Sequence, residues 1–131
     1  MSENWYPDFN DIVDVFKKLQ NEFKDLRKEN LMDERAIKSI LNKVKYGLPF
    51  KRSDFWEKTA ILWHDISYEH HFSNGNKRVG YFAMRLFLKK NGYNLKKISD
   101  DEIIDFCLEI AKGNLDYDTI VLWLIKNNNK K

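Results

Sequence analysis

The residues best suited to chemistry are concentrated in one run, His70-His71-Phe72-Ser73-Asn74-Gly75-Asn76-Lys77-Arg78-Val79-Gly80. Two imidazoles, two amides, a lysine and an arginine crowd around Gly75. A histidine at the entrance, with an unperturbed pKa near ~6.5, is suited to take a proton from a hydroxyl at neutral pH. Gly75 lets the backbone come close to a ligand. Together with Asn76 and Lys77 it can turn successive N–H groups toward one anion, as a nest. Arg78 adds a bidentate fork and Lys77 a point charge. A proton acceptor beside a phosphate cradle points to phosphoryl or nucleotidyl transfer onto a hydroxyl. Singly, each residue has a plainer role: His70 and His71 at a helix C-terminus, Asn74, Gly75 and Asn76 in a turn, Lys77 and Arg78 as surface charge. The ordered set is what those plainer roles leave unexplained.

The elements on either side explain why the run matters. Phe55 to about Glu69 reads as a helix whose apolar residues (Phe55, Trp56, Ala60, Ile61, Leu62, Trp63, Ile66) surround most of its circumference. Arg78 to about Lys90 repeats the pattern with Val79, Tyr81, Phe82, Met84, Phe87 and Leu88. Helices apolar on most faces are central. Polar groups set between two central helices are costly unless they face a pocket. The joining loop, His70 to Lys77, delivers its last N–H groups to a helix N-terminus, where unpaired donors and the helix dipole favour an anion.

The remaining chain reads as a string of helices with short joints. One runs from about Phe9 to Glu29, with Ile12, Val13, Phe16, Leu19, Phe23 and Leu26 on one stripe. Another starts near Asp33, an N-cap, carries Ile37, Ile40, Leu41 and Val44, and stops at Gly47 before Pro49. Tyr46 to Arg52 forms a short extended or hairpin loop, and Asp54 caps the helix beyond it. Gly92 stops the Arg78 helix. Ser99-Asp100-Asp101-Glu102 reads as a capping box opening a helix to about Lys112. Asp118 to Lys126 forms the last, with Ile120, Val121, Trp123 and Leu124 inward. These readings give an all-α domain of about six helices with no strand pair, a core over about 33–127 and a flexible polar tail at 128–131.

Composition sets the outer limits. A length of 131 residues fits one domain. Apolar residues at 43% and charged residues at 33% are a normal globular balance. Aromatics at 15% imply a dense core or an aromatic surface kept for a partner. A net charge of +3 is too mild to point to nucleic acid. The lysines of the first helix and of the tail are read as solvated surface. The single cysteine, Cys107, lies in an apolar helical pattern and is expected to be a buried, inert thiol. No Cys/His spacing matches a zinc site. Met1 to Asn10 shows no basic-then-apolar leader, and no apolar stretch reaches membrane-spanning length, so a cytoplasmic location without membrane contact is expected.

The run His70-x-Phe72-x-Asn74-Gly75-Asn76-Lys77-Arg78 resembles the signature loop of the Fic/Doc family, written HxFx(D/E)GN(K/G)R, departing from it only at Asn74. The flanks agree: Phe55 to His70 and the run to Asn91-Gly92-Tyr93 look like the family's two central helices. Ser99 to Trp123-Leu124 looks like the C-terminal helices of its short Doc-like branch. The likeness is weak before Asp33. The resemblance implies a compact helical bundle with a short flap, using ATP and Mg²⁺ as donor. His70 would be the base for a Ser, Thr or Tyr hydroxyl of a cytoplasmic target protein. Phe72 would anchor the loop in the core. Gly75, Asn76 and Lys77 would form the anion nest and Arg78 would grip a second phosphate. Tyr46, Gly47, Leu48, Pro49 and Phe50 would belong to a flap pinning the target by strand-like pairing.

Two positions separate the possible reactions. Lys77 stands where nucleotide-adding members of the family carry a small glycine, and Doc-like members carry lysine. The resemblance therefore implies transfer of the terminal phosphate, a kinase reaction, with AMP transfer as the alternative. Asn74 stands where the family has an acid for Mg²⁺. An amide oxygen can ligate a hard cation but brings no negative charge, which leaves open a degenerate fold that binds without turnover. The family's inhibitory pattern, (S/T)xxxE(G/N), finds only Ser53-Asp54-Phe55-Trp56-Glu57-Lys58, which ends in the wrong residue and begins a core helix. With no internal inhibitor, the Doc-like analogy implies an antitoxin in trans, the chain itself being the toxin of a pair.

Overall fold

In the computed structural model, residues 4–24, 32–48, 53–68 and 76–130 are described. In chain order they form α1 (Phe9–Glu22), α2 (Glu34–Tyr46), α3 (Phe55–Tyr68), α4 (Asn76–Lys90), β1 (Tyr93–Leu95), α5 (Asp100–Ala111), α6 (Tyr117–Lys126) and β2 (Asn128–Lys130). The fold is a helical bundle, as the sequence pattern predicts.

Local sequence starts α1, α2, α3, α5 and α6. Asp8 caps α1 and forms a reciprocal box with Asp11, the two N–H···O bonds measuring 2.9 and 2.8 Å. Asp33 caps α2 through Ala36 N–H, and Asp54 holds the first turn of α3 through Glu57 N–H at 2.8 Å. Ser99 accepts from Glu102 N–H at the start of α5, and Asp116 from Thr119 N–H at the start of α6. Each bond satisfies a donor that would otherwise be orphaned in the first turn.

Two apolar clusters share the central pair α3 and α4. Ile12, Phe16, Ile37 and Val44 of α1 and α2 meet Ile61, Ile66, Val79 and Phe87. On the other side Ile110, Ile120 and Leu124 of α5 and α6 meet Ala60, Trp63, Met84 and Leu88. Because α3 and α4 feed both clusters, they are apolar nearly all round, whereas α1 and α2 keep a narrow stripe. The central pair crosses closely at Gly80, where a Cβ would lie 2.1 Å from Ser67 Oγ and 3.1 Å from the Trp63 carbonyl oxygen. The aromatics serve mainly as packing. Phe106 stacks on Trp123 with centroids 4.7 Å apart, and Phe55 stacks on Phe87 and Tyr93 at 5.1 and 5.2 Å. Upstream of α1, the Asn91 side chain clasps the chain at Trp5, accepting from its N–H and donating to its carbonyl.

Three expectations are corrected. Helix α1 ends at Glu22, not Glu29: Phe23 is extended, with φ −117 and ψ 113, and its N–H closes on the Leu19 carbonyl. The last part of the longer helix expected there, at 25–29, lies outside the described residues. A strand pair does exist. β1 and β2 pair antiparallel, Tyr93 with Lys130 and Leu95 with Asn128, so 128–130 form a strand where a flexible polar tail was expected. Helix α4 starts at Asn76, two residues before the expected Arg78, which moves Asn76 and Lys77 from the loop into its first turn.

Candidate functional site

The last described residue of α3 is Tyr68 and the first of α4 is Asn76. His70, His71, Phe72, Asn74 and Gly75, and Pro49 and Phe50 of the flap, lie outside the described residues. Within them are Asn76, Lys77 and Arg78 of the loop, and Tyr46, Gly47 and Leu48 of the flap.

Asn76, Lys77 and Arg78 occupy consecutive positions in the first turn of α4. At this end of α4 the positive end of the helix dipole adds to the two side-chain cations. Arg78 is half-buried, and its guanidinium lies 4.6 Å from the centroid of the Phe23 ring. The stack fixes the plane of the guanidinium. It also explains the early end of α1, since an extended Phe23 turns its ring to Arg78.

Lys77 and Arg78 both line a cleft of about 540 Å³ between α4 and α5. Tyr81, Phe82 and Arg85 continue along α4, while Asp100, Ile103 and Cys107 form the α5 wall. Lys77 and Arg78 at one end, Arg85 further along and aromatic and aliphatic surface between suit a phosphorylated, partly apolar molecule. The sequence reading missed Phe23, Tyr81, Arg85 and Ile103 as lining residues. A signal was available: Arg78, Tyr81 and Arg85 recur at helical spacing and so share a face. Cys107 is buried as expected, and burial pushes its thiol up to about 11.

At the flap base, Tyr46 ends α2 with 75% of its surface exposed. Gly47 takes φ +85 as the C-cap, a conformation that favours glycine, and donates to the Lys43 carbonyl at 2.8 Å. Leu48 N–H donates to Ser53 Oγ at 3.1 Å, so the two ends of the flap are tied together. Leu48 itself packs against the first core cluster.

A second polar group went unread in the sequence. Asp65, buried in the last described turn of α3, accepts from Lys43 Nζ at 2.7 Å and Tyr117 OH at 2.8 Å, with His64 Nδ1 2.8 Å from the same oxygen as Tyr117. Burial alone would push its carboxyl up. The hydrogen bonds from His64, Lys43 and Tyr117, and the Lys43 charge, outweigh burial and hold it below the usual carboxylate range. One carboxylate thereby ties α2 and α6 to the turn of α3 that leads into the candidate loop. Glu57, in the chance match to the inhibitory pattern, is buried in α3.

Asn76, Lys77 and Arg78 thus open the described part of the central helix α4, with Lys77 and Arg78 on the cleft. Residues 7–88 match the Fic/DOC family, and the chain belongs to that family. The match runs from before α1 to the end of α4, so it includes α1, where the motif-based likeness was weak, and leaves α5 and α6 outside. Comparison with curated proteins gives no match. Membership supports Fic-type transfer to protein hydroxyls as the general class of chemistry. Among the described residues, no helix is long and apolar enough to cross a membrane.

Proposed function

We propose that the chain moves the terminal phosphoryl group of ATP to a Ser or Thr hydroxyl of a cytoplasmic protein. The observation that carries this reading is the placement of Lys77 and Arg78 together at the N-terminus of α4, both facing the cleft. Backbone N–H groups, a point charge and a stacked guanidinium suit a polyphosphate, and Tyr81 and Ile103 offer surface to the rest of the donor.

The transfer balances simply. The hydroxyl oxygen bonds to the terminal phosphorus, the bond from that phosphorus to the bridging oxygen breaks, and ADP leaves. The hydroxyl proton goes to His70. Lys77 and Arg78 neutralise charge on the phosphate oxygens as it shifts to the leaving group. The lysine at 77 favours this reading over AMP transfer, because a long cationic side chain there obstructs the pose in which the nucleotide itself is transferred.

Among the described residues no group of three His, Cys, Asp or Glu side chains could hold a metal. In the proposed reaction Mg²⁺ would be held with the phosphates, Asn74 supplying an amide oxygen, and would screen the phosphate charge there. Asn74 also carries a second reading, a binding fold without turnover. An antitoxin in trans that covers the loop belongs to the proposal as well, by analogy with the Doc-like branch.

Label transfer tests the proposal. The protein and its His70→Ala variant are incubated with cell extract, Mg²⁺ and ATP labelled at the α or the γ phosphate. His70-dependent γ label on a protein is expected. Label from α would replace the kinase with AMP transfer. No label from either, with turnover appearing on Asn74→Asp, would establish the binding fold.

A further inference from the structure

Helix α5 carries apolar residues on two sides. Ile103, Phe106, Cys107 and Ile110 turn inward to the second cluster. Ile104 and Leu108 stand away from it, 59% and 37% exposed. A single exposed aliphatic side chain is ordinary, but these two lie one turn apart and form a stripe. Asp101 extends the stripe by a turn toward the N-terminus and Lys112 by a turn toward the C-terminus, while Asp105 sits at its edge; all three are exposed. None of the three has an ion-pair partner among the described residues. Helix α5 also lies outside the residues that the family match covers.

The order along the stripe is acid, apolar, apolar, base. That order complements itself only when reversed. Laid antiparallel about a point midway between Ile104 and Leu108, two copies of α5 set Ile104 of each against Leu108 of the other. At 1.5 Å per residue, Asp101 and Lys112 lie ~7.5 and ~9 Å from that point on opposite sides, so each Lys112 arrives opposite Asp101 of the other copy. Asp105, near the midpoint, meets its own equivalent across the axis, and the same Lys112 stands ~7.5 Å along the helix from it, within a lysine's reach. The two helix dipoles also run head to tail with each other's ends. A parallel pair would instead oppose Asp101 to Asp101 and Lys112 to Lys112. An unrelated protein needs no such symmetry in this face; a second copy of the same chain does.

We propose that two copies of this chain associate through α5, antiparallel about a two-fold axis between Ile104 and Leu108. The interface is small, which makes a weak, concentration-dependent dimer. Ile104 lies on the stripe and also lines the Lys77 cleft with Asp100 and Ile103, so the second copy stands at the mouth of that cleft. The association needs no turnover and does not rest on the transfer reading.

Sedimentation velocity of the full chain, from micromolar to millimolar concentration, tests it. The parent is expected to shift from monomer to dimer over that range. Ile104→Asp and Lys112→Glu should each weaken the dimer roughly tenfold or more, the second because like charges then face each other at two symmetric places. Asp101→Lys/Asp105→Lys should do the same alone. Mixed with Lys112→Glu it should restore a dimer, since each reversed end meets its opposite on the other protein. These positions are exposed, so the variants are expected to fold, checked by their thermal transitions. Amide shifts of the parent across a dilution series need no variant and should concentrate on α5. A chain that stays monomeric at millimolar concentration, a dimer indifferent to Lys112→Glu, a mixture that stays monomeric, or shifts confined to other helices would each overturn the proposal. So would a dimer dispersed by Leu122→Asp on α6 and left intact by Ile104→Asp.

Discussion

Asp65 offers a sharp test of how the region beneath the candidate loop is held. Replacing it with alanine leaves Lys43 Nζ, Tyr117 OH and His64 Nδ1 without their common partner. Removing one side of a fully buried pair costs ~3–5 kcal/mol. Here the side chains of Lys43 and Asp65 are 35% and 5% exposed, so the stranded ammonium can reach water and its share is discounted. The bonds from His64 and Tyr117 go to a charged acceptor and are not replaced. A loss of ~2–3 kcal/mol follows, and for a chain of this length Tm should fall by roughly 10 °C. The pH dependence has a definite sign. Since the folded carboxyl titrates below its ordinary value of 3.8, the unfolded chain takes up the proton first as pH falls. The contribution is complete above that value and is lost as pH drops from 3.8 toward the lower folded value. Urea unfolding of the parent and of Asp65→Asn at neutral and acid pH reads both effects. The variant should be the less stable near neutrality, and the gap should narrow in acid. An Asp65→Ala protein within ~0.5 kcal/mol of the parent, or a gap independent of pH, would refute the account.

Other outcomes follow from contacts already described. Gly80→Ala should destabilise by ~2 kcal/mol or more, because the added Cβ meets Ser67 Oγ at 2.1 Å and a backbone oxygen at 3.1 Å; chemical denaturation measures it. Ser67→Ala should be neutral or slightly stabilising and should rescue part of that loss, since among the described residues the buried Ser67 Oγ has no hydrogen-bond partner. Cys107, with its thiol pushed up to about 11, should resist a thiol reagent at mildly alkaline pH in the folded protein and react at once in denaturant. Lys77→Gly should shift any label transfer from the γ toward the α phosphate, read with the two labelled forms of ATP; an unchanged preference would remove Lys77 as the discriminator.

Legibility in the sequence followed the range of the interaction. Helix starts were readable because Asp33, Asp54 and Ser99 act on N–H groups three residues away. The central position of α3 and α4 was readable because two clusters demand apolar residues on most of their faces. The end of α1 was not. Phe23 and Leu26 extend its apolar stripe without a break, and no Gly or Pro interrupts them. Phe23 leaves the helix to meet Arg78, more than fifty positions further on, and no local pattern reports such a partner. The β1–β2 pair was hidden for a related reason. Its strands have three residues each, and Asn128-Asn129 shows none of the alternation that marks a half-buried strand.

The same division runs through the candidate site. The loop could be read as chemistry because its residue types are dense and ordered, but the surfaces beside it are assembled from distant segments. The cleft takes Phe23 from the end of α1, Tyr81 from α4 and Ile103 from α5, and the Asp65 group takes Lys43 from α2 and Tyr117 from α6. These contributors look ordinary in the chain: Tyr81 is one aromatic in an aromatic helix, and Asp65 is one acid among twenty. Their roles come from α3 and α4 being packed from both sides, which brings α2, α5 and α6 to the two ends of one loop. The motif is a local pattern, while the surfaces beside it are written in the faces of the surrounding helices.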